Sequence, residues 1–248
     1  MIRYCAAAVA ALMLTTPALA QERALDRPSI TVMGQGRVET PPDSFRITAE
    51  LEGRGTSQVA ALRALSAVQA QVSDIQKLEG LTKARLTTGA PNVTPTFDPQ
   101  CGSDGYRRGT DDCPIVGYAA AISLTLEAGP VARAGDALSL ASERGARTAS
   151  VDSFYLADDA AQSLAAQRDA FSDARRQAEA LAAASNQRLV RVLRLEDPNA
   201  NSGRAGAGYG YSDEIIVTAQ RARPAVSLDV APPPVRTEAR VLATFEIE

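Results

Sequence analysis

From Phe45 the chain alternates strictly. Phe45, Ile47, Ala49 and Leu51 are apolar, and Arg46, Thr48, Glu50 and Glu52 fall between and after them. That period of two predicts a strand with one wet face. Ahead of it, residues 30–39 predict another strand containing Gly34 and Gly36, and Thr40-Pro41-Pro42-Asp43 reads as the turn of a hairpin joining the two. Thr56 is placed to cap a helix. In it Val59, Leu62, Leu65, Val68 or Gln69, Val72, Ile75 and Leu78 keep the helical period, and Gly80 closes it. Residues 81–97 are extended and Thr-rich. Pro91 and Pro95 confine them to a sheet edge or split them in two.

A strand over 115–127 follows, then a second helix marked by Val131, Ala134, Leu138 and Ala141 and ending near Gly145. Residues 149–156 predict a short strand. Asp158 and Asp159 open a third helix, reaching about Ser185, with Leu164, Phe171, Ala174, Ala178, Leu181 and Ala182 as its inner face. Residues 189–196 and 237–247 complete the strands. Strand–helix–strand occurs twice, over 45–97 and 115–156, a hint of a duplicated unit. The expected class is α+β: duplicated strand-helix-strand units whose helices pack on a mixed, largely antiparallel sheet.

The first twenty residues carry a different message. Met1-Ile2-Arg3 is a short positive start, Cys5 to Leu14 is uninterruptedly apolar, and Ala18-x-Ala20 precedes Gln21. These are the three parts of a secretory signal cleaved between Ala20 and Gln21. The apolar run is too short to cross about 30 Å of hydrocarbon, and no later stretch is long enough, so the mature chain is expected to have no transmembrane span. Export makes the periplasm the expected compartment, with outer-membrane association as a further possibility.

An oxidising compartment changes the reading of the cysteines. Cys5 leaves with the signal, and Cys101 and Cys113 remain, separated by a turn-forming Gly/Asp/Arg stretch. A structural disulfide closing loop 100–114 is expected, and redox pairs more often take the C-x-x-C form. Residues 198–236 stand apart as a low-complexity, mobile excursion, ending in Pro232-Pro233-Pro234. Within it, residues 213–219 (Asp-Glu-Ile-Ile-Val-Thr-Ala) resemble the TonB box of outer-membrane receptors, which is recognised by strand addition.

Composition narrows the chemistry. The chain has 248 residues, no His, and a formal net charge of −3. Without His there is no Ser-His-Asp or Cys-His machinery and no His-based zinc or iron site. The mild acidity gives no global attraction for nucleic acid. Gly34-Gln35-Gly36 sits among strand residues, so it marks a bulge or close backbone packing and not a phosphate cradle. No catalytic residue, cofactor site or metal site is assigned, and the expected protein is not an enzyme.

Taken in order, the leader, Ile30-x-Val32-x-Gly34-x-Gly36-x-Val38, Pro42-Asp43 with its alternating strand, Thr87-Thr88, Pro95 with Phe97, Gly117-Tyr118-x-Ala120, Gly145-Ala146 and the Ala-rich third helix resemble the SIMPL-domain family of exported bacterial proteins. That group includes the periplasmic immunogenic and oxidative-stress-defence proteins. The resemblance covers about residues 28–248. Phe97 stands where the family has Tyr, and Asn186 and Val190 stand where it has Gly; Asn tolerates the left-handed conformation nearly as well as Gly. The resemblance implies an α+β fold, an envelope location, ring-like homo-oligomers, a link to stress tolerance, and no established catalytic residues. The alternative expectation is a periplasmic adaptor engaging an outer-membrane partner through residues 213–219.

Overall fold

The computed structural model describes residues 27–99, 113–198, 224 and 226–248. The leader with Ala20 and Gln21, Cys101 with most of its loop, and residues 213–219 lie outside the described residues. The strands are β1 (Ser29–Thr40), β2 (Ser44–Gly55), β3 (Thr82–Thr88), β4 (Asn92–Phe97), β5 (Ile115–Gly129), β6 (Thr148–Tyr155), β7 (Leu189–Glu196) and β8 (Val235–Ile247). The helices are α1 (Gln58–Val72), between β2 and β3, α2 (Ala134–Glu143), between β5 and β6, and α3 (Ala160–Ala184), between β6 and β7.

The larger sheet has the order β3–β5–β2–β6, with β4 sharing the outer side of β5. β2 and β3 both run antiparallel to β5, and β5 and β6 both run antiparallel to β2. Each pair is therefore parallel, bridged by one helix and split by a strand of the other pair. Two interlocked split β-α-β units of this kind make a ferredoxin-like β-α-β-β-α-β layer. This is the duplication expected from the sequence, although every described strand pairing is antiparallel and none is mixed. Residues 81–97 do lie at an edge, and they do split. β5 runs from Ile115 to Gly129, so β3 pairs with its end, Leu124 to Gly129, and β4 with its start, Ile115 to Ala121.

The alternating residues of β2 explain where the core lies. Phe45, Ile47, Ala49 and Leu51 are fully buried, facing α1 and α2, and are joined by Ile122, Leu124 and Leu126 of β5 and Leu140 of α2. In α1, Ser57 and not Thr56 is the N-cap: its hydroxyl accepts from the Ala60 amide. The α-helix ends at Val72 and a 3-10 turn, Ser73–Lys77, carries the chain to Gly80.

The hairpin expected between β1 and β2 does not form. β1 pairs along its full length with β8, Ser29 opposite Glu246 and Thr40 opposite Val235, and β7 completes a second sheet on the other side of β8. Pro41 and Pro42 hold the preceding backbone extended, so the connection steps from one sheet to the other instead of reversing. The Asp43 amide then donates to the Tyr155 carbonyl at 3.2 Å, which fixes the start of β2 beside the end of β6.

α3 covers the second sheet through an alanine face. Ala166, Ala170, Ala174, Ala178 and Ala182 are buried, whereas Leu164 and Leu181, expected on the inner face, are 48% and 52% exposed. Gly34 and Gly36 explain the choice: a Cβ on either would lie 2.0 Å from a carbonyl oxygen of α3, at Ala170 and Ala166. Backbones this close admit only Ala between them. The same device recurs in the larger sheet, where Gly53 and Gly55 lie against Ala60, Ala61 and Leu65 and leave Val59 and Leu62 outside. At the end of α3, the Asn186 amide donates to Ala183 O and the Gln187 amide to Ala182 O, with Asn186 at φ +57°. That is a Schellman cap with Asn in the glycine position.

Candidate functional site

The face of the larger sheet opposite α1 and α2 carries the polar half of each alternating strand. One row crosses three strands, with Arg46 (β2) and Arg85 (β3) both opposite Glu127 (β5). Arg46 donates from Nε and Nη2 to Glu127 Oε1 at 3.0 and 2.6 Å; Arg85 donates to Oε2, from Nε at 3.1 Å and also from Nη2. The hydrogen bond from Arg85, helped by that from Arg46, holds the Glu127 carboxyl below the usual carboxylate range against the opposing effect of burial. The Arg46 guanidinium also lies 5.6 Å from the centroid of the Tyr155 ring, a cation–π distance. Burial pushes the Tyr155 hydroxyl pKa up.

These residues line a cleft of about 340 Å³ together with Ser44, Lys83, Ala128 and Ala157. Lys83 sits in the left-handed region at φ +50°, inside an irregularity of β3 pairing between Thr82 and Arg85. Its conformation and its neighbours depend on β3 being folded against β5.

The second sheet has two unlike edges. Along β1, α3 reaches over the outer backbone: Asp173 accepts from the Gln35 amide at 3.1 Å, Asp169 from the Arg37 amide at 3.3 Å, and Gln177 donates to Met33 O at 3.3 Å. The Gln35 amide is the main reason that the Asp173 carboxyl is held low. Along β7, no described strand lies outside, and Val190, Val192 and Leu195 are exposed. Between β7, β8 and α3 runs a groove of about 450 Å³ containing Phe171, Leu195, Ala239 and Val241, rimmed by Glu196, Asp197 and Glu238.

The residues singled out in the sequence are scattered. Cys113 is fully buried, while Cys101 lies outside the described residues. Asp159 occupies the N-cap of α3 without a side-chain bond; Asp158 does the capping, accepting from the Ala160 amide at 3.0 Å. Two residues outside that set, Arg175 and Arg176, pair with Glu179 and Asp173 on the outside of α3. The excursion is fastened at its return. Ser227 Oγ donates to the buried Asp136 at 2.7 Å, Arg133 Nη1 donates to the same carboxylate at 2.6 Å, and Leu228 lies against Gly135. Among the described residues no three His, Cys, Asp or Glu converge as a metal site would need, and no helix is long and apolar enough to cross a membrane.

A ferredoxin-like layer joined to a three-stranded sheet, each closed by helices through Gly-x-Gly contacts, defines an α+β domain in which no described residues assemble a familiar catalytic constellation. The SIMPL family model, described as a protein of unknown function (DUF541), matches residues 30–245. The chain belongs to the SIMPL family. No curated protein matches it.

Proposed function

We propose that this is an exported, non-enzymatic envelope protein that assembles with further copies of itself and contributes to stress tolerance. Assembly is carried by one observation, the contrast between the edges of the second sheet. α3 caps β1 with two carboxylates and an amide, whereas β7 presents Val190, Val192 and Leu195 beside an outer side that no described strand covers. A strand edge of this kind favours pairing with another chain, and identical copies most often close into symmetric assemblies. The β3–β4 edge is the weaker candidate, because Lys83, Arg85 and Pro95 interrupt it. Export is supported by the leader pattern, the lack of enzymatic activity by the His-free inventory, and the stress role by family resemblance alone.

Static light scattering on the mature chain tests the assembly. The expected result is a large homo-oligomer that Val192→Lys shifts to smaller species. Replacing residues 199–223 by a short Gly/Ser linker should leave the oligomer intact, since it retains Ser227 and Leu228. A clean monomer for the unaltered protein at micromolar concentration overturns the proposal. Loss of assembly on the linker replacement alone would overturn the β7 contact and assign assembly to the replaced segment.

A further inference from the structure

The cleft at the end of the larger sheet has a chemistry that assembly does not use. Three cations, Arg46, Lys83 and Arg85, line it with a single carboxylate, Glu127. The Asp43 carboxylate also lies nearby, where its charge opposes ionisation of the Tyr155 hydroxyl, but it accepts from the Ala157 amide at 2.8 Å, and counting it still leaves an excess of positive charge. Glu127 occupies only part of the donor set. It takes Nε and Nη2 of each arginine, while Nη1 of both, the Lys83 ammonium and the Tyr155 hydroxyl have no hydrogen-bond partner among the described residues. Glu127 thus orients two guanidinium groups whose outer edges stay free, an arrangement suited to bidentate recognition of an oxyanion.

Lys83 adds an independent sign. A lysine at φ +50° is held in a conformation that L side chains rarely adopt, inside a strand. Lys83 is exposed and, among the described residues, makes no ion pair that would call for a cation there. Gly would take the same backbone without strain. The conformation instead brings an ammonium to the rim beside Arg85.

We propose that the cleft lined by Arg46, Lys83, Arg85 and Tyr155 binds a small oxyanionic ligand through a phosphoryl or carboxylate group. The arginines take the two oxygens of one edge, the lysine supplies a third contact, and the tyrosine closes the side of the pocket. Binding is governed by the charge excess on the oriented donors, so removing Lys83 weakens it.

Calorimetric titration of the mature chain with inorganic phosphate, and separately with succinate, tests this. One saturable site is expected for at least one probe, and the tighter probe identifies the recognised group. Lys83→Gly should weaken binding about tenfold without lowering the thermal midpoint, a combination that mere misfolding does not produce. Arg175→Gln, on the outside of α3, should leave it unchanged. Absence of saturation for both probes up to about 10 mM overturns the proposal. So does equal weakening by Lys83→Gly and Arg175→Gln, which would mark an adventitious ion only.

Discussion

The Gly34–Gly36 contact gives the sharpest test of how the fold is held. Replacing Gly34 by Ala would put a Cβ 2.0 Å from Ala170 O, 2.6 Å from Ala174 N and 2.8 Å from Ala174 Cβ. The first two obstacles are backbone, so no side chain can rotate away and α3 must move outward as a unit. Overpacking of a tight core costs about 1–3 kcal/mol, and occasionally more. A rigid backbone obstacle belongs at the top of that range, since the retreat also opens a gap along Ala166–Ala182 and forfeits dispersion contacts. The lower chain entropy of Ala returns about 0.5–1 kcal/mol. The net expectation is a loss of about 2–3 kcal/mol, which for a chain of this length lowers the thermal midpoint by about 5–10 °C.

Urea unfolding followed by circular dichroism measures it. Gly117→Ala serves as control, because its nearest obstacle is one carbonyl oxygen at 3.1 Å. The Gly34→Ala, Gly36→Ala pair should cost clearly less than the sum of the singles, because one retreat of α3 accommodates both. A Gly34→Ala protein within about 0.5 kcal/mol of the parent, the range of an ordinary surface change, would refute the close-approach account.

Three further outcomes are expected. N-terminal sequencing of protein recovered from the periplasm should begin at Gln21, and intact Met1 would exclude cleavage. Peptide mapping without reductant should show Cys101 joined to Cys113. Cys113→Ser should cost at most about 3 kcal/mol in the chain-entropy model and leave the fold intact, and two freely alkylatable thiols would refute the link. Finally, Glu127, Asp173, Glu52 and Glu246 all have carboxyls held below their ordinary values, chiefly by hydrogen bonds from Arg85, the Gln35 amide, Arg54 and Arg191 respectively. At acid pH the unfolded chain therefore binds more protons than the folded one. Stability should be fully present at neutral pH and fall as pH drops below about 4, through the depressed values. An unfolding midpoint unchanged between pH 6 and 3 would contradict this.

The sequence by itself determined the elements and the class. Alternation in β2, the Pro-split edge and the Ala-rich α3 are all local signals, set by side-chain period and by backbone sterics, and so they are legible without knowing any neighbour. Which strand pairs with which was decided only in three dimensions. β1 and β2 are separated by three residues yet belong to different sheets, and β1 finds its partner about two hundred residues away, at β8. The inner faces of α1 and α3 were also a tertiary outcome. Hydrophobicity pointed to Val59, Leu62, Leu164 and Leu181, but the glycines of the facing strands let the helix backbones approach until only alanine fits, which turned the larger side chains outward. The cleft follows the same rule. Arg46, Arg85 and Glu127 are polar residues of three separate strands, unremarkable in sequence. Only the antiparallel register of β2, β5 and β3 sets them in one row, with Lys83 turned beside them.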